Sequence, residues 1–126
     1  MGAARGIEDA LILTLGTGVG TGILVGGQLV RAGRGLHTEG GHIIIRAGDR
    51  SAVCGCGNLG CVEAFLSGRG FERRSQSKLG GASSSVSAAE LASKARAGDL
   101  KIQSFFEEYA ELLALAIHNF VVLYAP

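Results

Sequence analysis

Cys54, Cys56 and Cys61 fall in the pattern Cys-x-Cys-x4-Cys and are the only cysteines of this 126-residue chain. An odd number of cysteines so close together makes a poor disulfide framework. Thiolates gathered in this way suit a tetrahedral Zn²⁺ site, which requires a fourth ligand. His42, twelve residues before Cys54, is the best candidate, with His37 as the alternative. The competing reading is three small buried apolar side chains. Residues 47–61 are otherwise small or polar, so a metal would stand in for a core that they cannot build. Four protein ligands close such a site, which makes the ion structural.

Two other motifs carry chemistry. Gly16-Thr17-Gly18-Val19-Gly20-Thr21-Gly22 lies between two strand-like runs. Glycines let backbone N–H groups approach an anion closely, so Gly16, Thr17, Gly18 and Gly20 could cradle phosphates. No Gly-Lys-Ser/Thr follows and a strand rather than a helix comes next, so neither a P-loop nor a dinucleotide fingerprint fits. A tight hairpin turn is the alternative. In Glu39-Gly40-Gly41-His42 a carboxylate and an imidazole stand close together, and Glu63 follows Cys61 by two residues. If one ring nitrogen of His42 binds metal, the other is free for a ligand. From spacing alone, Glu39 and Glu63 read as exposed loop charges.

Along the chain, residues 10–15 and 22–25 read as buried strands, with a turn at Gly26-Gly27 and a third strand at 28–30. The β-branched run within His42–Arg46 predicts another strand. Residues 62–66 predict a short helix, and the Ser/Gly-rich stretch 75–87 a flexible loop. Ser87 and Glu90 form a capping-box pattern that starts a helix, and Gly98 would end it. Asp99 then caps a longer helix. Its apolar positions (among them Phe105, Leu112, Ala116, Ile117, Phe120 and Val121) recur every three or four residues and predict one wide buried stripe. His118, near that stripe, reads as a buried structural histidine. Strands followed by helices, with too few strands for a self-sufficient sheet, indicate an incomplete α/β unit.

The apolar fraction is 47% and the charged fraction 18%. That balance suits a piece that packs against something else. Net charge is +1, and the longest basic cluster is Arg73-Arg74 with Lys78 nearby. This is too little for a nucleic-acid footprint. No stretch reaches the roughly 18 apolar residues of a membrane span, and the first residues hold no apolar signal-peptide core. A cytoplasmic location without membrane contact is expected.

The order of the motifs is itself distinctive: Leu-Gly-Thr-Gly-Val-Gly, then Gly-Gly-Gln-Leu, then Glu-x-Gly-His, then Cys-x-Cys-Gly-x-x-Gly-Cys-x-Glu. This resembles the ROK family (repressors, open reading frames, kinases), and within it the zinc-containing bacterial glucokinases. The match is close over residues 5–70 and weaker beyond. The resemblance implies an α/β, actin-like ATPase fold of the ribonuclease H-like, hexokinase type, present as an incomplete C-terminal-domain fragment. It implies one partial kinase domain over 1–126: strands with the phosphate loop at 1–46, a zinc-binding segment at 47–70, the loop at 75–87 and helices at 88–126. It further implies that residues 16–22 contact ATP phosphates, that Glu39, His42 and Glu63 bind sugar hydroxyls, and that His42, Cys54, Cys56 and Cys61 hold Zn²⁺.

The family's catalytic base is an aspartate in an Asn-Asp motif, which these residues lack; Asp9 stands in the wrong context. No catalytic residue is therefore assigned. The expected parent activity is transfer of the ATP γ-phosphoryl group to glucose or a related hexose, with Mg²⁺, by a homo-oligomer such as a dimer. The chain alone is expected to be nearly inactive. The alternatives are part of a ROK sugar-responsive repressor, or a zinc-stapled interaction module without catalysis.

Overall fold

The computed structural model describes residues 2, 4–31, 33–35, 37–80 and 86–125. Strands β1 (Ala10–Leu15), β2 (Val19–Val25) and β3 (Gln28–Leu29) form an antiparallel meander in that order. Among the described residues four α-helices follow: α1 (Val62–Leu66), α2 (Gly68–Leu79), α3 (Ala88–Arg96) and α4 (Leu100–Tyr124). The mixed α/β character expected from the chain's pattern is present.

Local chemistry accounts for most boundaries. The Ser87 hydroxyl accepts from Glu90 N–H while the Glu90 carboxylate accepts from Ser87 N–H, closing the capping box at the start of α3. Asp99 Oδ1 accepts from the Lys101 and Ile102 amides and opens α4. Gly98, at φ +100°, supplies the left-handed backbone between the two helices.

Four expectations are corrected. The His42–Arg46 run is not a strand: a 3₁₀ turn covers Gly40–His42, and only Ile44 makes a lone bridge, to Cys61. Its amides are committed elsewhere, since Ile45 and Arg46 N–H both donate to the Gly60 carbonyl. β2 begins at Val19, so Gly20, Thr21 and Gly22 lie in the ladder and the glycine-rich turn shrinks to Gly16–Gly18. Residues 75–79 belong to α2, which the Ser67 hydroxyl caps by accepting from Gly70 N–H. Residues 81–85 of the expected loop lie outside the described residues. His118 is exposed rather than buried, as are Ile117 and Val121. The buried positions 112, 116 and 120 step by four; a residue two places from 116 and 120 is turned some 200° away.

The core lies where α1 meets α4. Val62, Phe65 and Leu66 pack with Leu112, Ala116 and Phe120, and Ala52, Cys54, Cys61 and Val19 complete the cluster. The Tyr109 hydroxyl donates to the Leu66 carbonyl at 2.9 Å. Beside this core is an ionic hub. Glu108 of α4 receives Arg46 at 3.0 Å, Arg74 at 2.9 Å, and Lys78. The Arg74 side chain is buried, and among the described residues neither of its terminal nitrogens makes an aligned hydrogen bond. Its attraction to Glu108 is therefore chiefly Coulombic. Burial holds the Arg74 guanidinium below its ordinary range, and Glu108 partly restores it.

Burial alone would raise the Glu108 carboxyl, but Lys78, Arg74 and Arg46 outweigh it and hold the group below its ordinary value of 4.5. A depressed folded value means that the stability Glu108 contributes is complete above the unfolded value. It is lost as pH falls from there through the lower folded one. Urea midpoints are therefore expected to fall as pH drops below 4.5, and Glu108→Gln should flatten that dependence. At pH 7 the same substitution is expected to cost roughly 3 kcal/mol, because Arg74 is left buried without its counter-charge.

Candidate sugar and metal site

The site is assembled from three short pieces of backbone around β2 and α1. Thr21 of β2 clasps the first. Its hydroxyl donates to the Thr38 carbonyl at 2.8 Å and accepts from Gly40 N–H at 3.0 Å. The chain then turns so tightly against β2 that a Cβ on Gly41 would lie 2.3 Å from the Val19 carbonyl oxygen. This fixes where Glu39 and His42 emerge. Backbone bonds set the second piece: Cys54 N–H donates to the Asn58 carbonyl, Gly57 N–H to Cys54, and Gly60 N–H to Ala52. The third is α1, tied to the first by the Val62 N–H bond to the Ile43 carbonyl.

These pieces bring His42, Cys54, Cys56 and Cys61 together, with their ligand atoms all within 4.8 Å of one another. His42 Nδ1 lies 3.4 Å from Cys54 Sγ, and Cys56 Sγ lies 3.8 Å from Cys61 Sγ. A tetrahedral ion with bonds of about 2.3 Å to sulfur and about 2.0–2.1 Å to nitrogen has edges of about 3.8 Å between sulfurs and about 3.5 Å between sulfur and nitrogen. The donor set and its spacing therefore fit such an ion. His37 is exposed and stands outside this group. Burial pushes the Cys61 thiol up to about 12, whereas the Asn58 amide lowers that of the exposed Cys56.

The expected sugar ligands border the same cluster. His42 Nε2, the ring nitrogen turned away from Cys54, lies 3.9 Å from Glu39 Oε2. His42 is about one-third exposed and Glu39 about three-quarters exposed, at 34% and 77%. Glu63 is part-buried. One of its oxygens accepts from Val19 N–H at 3.0 Å, at the end of the Gly16–Gly18 turn, and the other lies 3.9 Å from Cys54 Sγ. Glu63 is thus not a stray loop charge. A cavity of about 430 Å³ follows Gly16, Thr17, Gly18 and Gly20 and is closed at one side by Glu63. A neighbouring one of about 360 Å³ shares Thr17 and Glu63 and adds Arg69 and Arg73.

The Thr21–Thr38 clasp and the two arginines had no assigned part in the sequence reading. The clasp joins residues seventeen apart and leaves no local pattern. Arg69 and Arg73 stand at i and i+4 of α2, a spacing that is readable once that helix is known. A further cleft of about 670 Å³ lies beyond Gly16 and is lined mainly by apolar groups, including Leu15, Leu66, Phe71 and Tyr109.

A family model described as the ROK family matches residues 1–126. The chain belongs to the ROK family. An N-acetylmannosamine kinase of Escherichia coli O9:H4 is 39% identical over 111 residues, which are 88% of this chain and 36% of the relative. The crystal structure of a ROK hexokinase from Thermus thermophilus superposes with a TM-score of 0.86 at 34% identity, over all of this chain and 41% of that one. A ROK-family glucokinase from Streptomyces griseus, solved with glucose and AMPPNP, gives 0.80 at 30% identity over 99% of this chain and 44% of that one. This ROK chain therefore spans less than half the length of each relative. The actin-like ATPase fold expected from the motif order is the fold of these hexokinase structures.

Gly60 offers a direct test of how the site is held. It sits at φ +79°, and an added Cβ would lie 1.6 Å from the Arg46 carbonyl oxygen, whereas one on Gly55 would meet nothing within 4 Å. Gly60→Ala is expected to lower stability by roughly 2–4 kcal/mol in urea melts, and Gly55→Ala by little.

Proposed function

We propose that this chain carries part of the active site of an ATP-dependent hexose kinase, with Glu39, His42 and Glu63 binding sugar hydroxyls. Glu63 carries the reading. It touches the Val19 amide at the glycine turn, lies 3.9 Å from a thiol of the candidate metal cluster, and lines both cavities. Sugar-facing and phosphate-facing groups therefore meet at one carboxylate. Glu39 and Glu63 are acceptors suited to vicinal hydroxyls, and His42 Nε2 adds a donor or acceptor between them.

In this reading Gly16, Thr17, Gly18 and Gly20 hold the phosphates of Mg²⁺-bound ATP, and the apolar cleft beyond Gly16 is large enough for a nucleoside. His42, Cys54, Cys56 and Cys61 hold one Zn²⁺. The ion supplies structure: it would cross-link the 40–42 turn to the 54–61 segment. Coordination through Nδ1 would leave Nε2 of His42 free toward the sugar. In-line phosphoryl transfer draws most of its acceleration from positioning and electrostatics, so the residues here orient the acceptor hydroxyl against the nucleotide.

The substrate is a hexose or N-acetylhexosamine. Glucose suits the likeness to the Streptomyces glucokinase and N-acetylmannosamine the likeness to the Escherichia kinase. A homo-oligomer in the cytoplasm belongs to the same reading. These residues alone are expected to turn over little or nothing, since they contain no Asn-Asp pair and general-base help is worth about 10²–10⁴-fold.

Three measurements test this. Metal analysis should find one zinc per chain, and Cys56→Ser should weaken its retention against a chelator. Zinc-loaded chain should bind at least one sugar of a hexose and N-acetylhexosamine panel, and Glu63→Gln should weaken that binding at least tenfold. An ATP-dependent assay on the same panel should show no clear turnover. Rapid phosphorylation of any of these sugars would overturn the expected inactivity and point to a base within these residues or a partner chain.

A further inference from the structure

Four residues outside the candidate site converge on the elements that carry it. Glu108 lies on α4, far in sequence from every candidate ligand, and its carboxylate receives Arg46 and Arg74 on different oxygens, at 3.0 and 2.9 Å. Both guanidinium groups also rest on the ring of Phe65, at 5.7 and 5.4 Å from its centroid. Phe65 is 1% exposed and lies two residues after Glu63 on α1. Both guanidiniums therefore bear on the helix that presents Glu63.

Arg46 has a second attachment, through its backbone. Its N–H and that of Ile45 share the Gly60 carbonyl at 3.2 and 2.9 Å. Gly60 immediately precedes Cys61, so the Arg46 side chain is gripped by α4 while its main chain is locked to the residue beside a candidate metal ligand.

We propose that Glu108 is a positioning residue for the metal and sugar site, acting through Arg46 on the Cys61 segment and through Arg74 on α1. The inference rests on the metal-centre reading given above. A stabilising role alone does not account for the arrangement. Arg46 is 42% exposed, and ion pairs with an exposed partner contribute little to stability. Three cations on one carboxylate leave the hub with excess positive charge, which apolar side chains of similar volume would avoid. What the hub adds is a fixed distance between α4, α1 and the segment carrying Cys61.

The test compares the wild-type chain with Arg46→Met, Arg46→Lys and Glu108→Gln. Arg46→Met keeps the apolar stem over Phe65 and removes the guanidinium. Zinc affinity is measured by competition with a chromophoric chelator, the thiolate absorption of the cobalt-substituted chain is recorded, and each metal-free chain is melted. Partners hydrogen-bonded to a metal's ligands typically change affinity by 10–100-fold, and Arg46 stands one residue further out. Arg46→Met is expected to weaken zinc roughly 10-fold, near the lower end of that range, to shift the cobalt spectrum, and to leave the metal-free melt nearly unchanged. Arg46→Lys should recover part of the loss. Glu108→Gln should cost less zinc affinity in the Arg46→Met background than in the wild-type chain, because the Arg46 link is then already gone and only the Arg74 link is left to lose. Zinc affinity and cobalt spectrum in Arg46→Met equal to wild type would overturn the proposal, as would a loss of affinity matched by an equal destabilisation of the metal-free chain. Wild-type chain that takes up no zinc would instead remove the metal-centre reading, and the proposal with it.

Discussion

The docking of Arg46 against Gly60 is the contact on which the rest of the site depends. Residues 47–61 contain few groups that can bury themselves; only Ala52, Cys54, Gly60 and Cys61 do so. A segment of this composition has no core of its own, and its shape must come from its ends. One end is fixed where two successive amides share the Gly60 carbonyl, with no room for a Cβ on Gly60. The other is fixed at Cys61, which is fully buried and leads directly into α1. Between these points the backbone can only fold back on itself, and that carries Cys54 and Cys56 toward Cys61. Metal affinity at such a cluster would be part of folding free energy, because the unfolded chain offers no preformed set of ligands.

The same economy explains why one short helix serves several purposes. α1 has five residues, too few to be stable alone. It persists because Val62, Ala64, Phe65 and Leu66 are buried, leaving Glu63 as its polar exception. A carboxylate in that position must find partners. Glu63 finds the Val19 amide on one side and faces Cys54 on the other. Packing that is needed for stability thus places a charge between the glycine turn and the cluster.

Much of this was legible in the chain, and the parts that were not share a cause. Cysteine spacing indicated that Cys54, Cys56 and Cys61 would gather in a group able to hold a metal, Ser87 with Glu90 the start of α3, and Asp99 the start of α4, because each is a local pattern with a local mechanism. The strand expected at His42–Arg46 rested on β-branched propensity. That preference yields when the amides concerned are taken by Gly60, fourteen and fifteen residues away. The loop expected from residue 75 rested on serines, which a helix accommodates when capped at Ser67 and packed through Phe71 against Phe105 and Tyr109. The hub at Glu108 joins residues sixty-two apart, and each of its members, read alone, is an ordinary surface charge. Sequence patterns report on neighbours within a turn or a strand; the contacts missed were the long-range ones.

The position of Asp9 bears on what these residues can do with a phosphate. Asp9 Oδ1 accepts from Gly26 N–H at 2.9 Å, at the hairpin between β2 and β3. The glycine turn lies at the other end of β1, seven residues on, which is roughly 20 Å along an extended strand. A general base must come within about 3 Å of the hydroxyl it deprotonates, or reach it through one water. Asp9 is therefore occupied with a structural task at the wrong end of the sheet. Among the described carboxylates, Glu63 meets the turn at Val19 and Glu72 lines the cleft beyond Gly16, and in the proposed reading Glu39 and Glu63 hold sugar hydroxyls. A group that accepts a hydrogen bond from a hydroxyl the reaction leaves alone is not placed to take the proton of the one that attacks. Binding and proton transfer thus call on different carboxylates, and in the proposed reading Glu39 and Glu63 are those that bind.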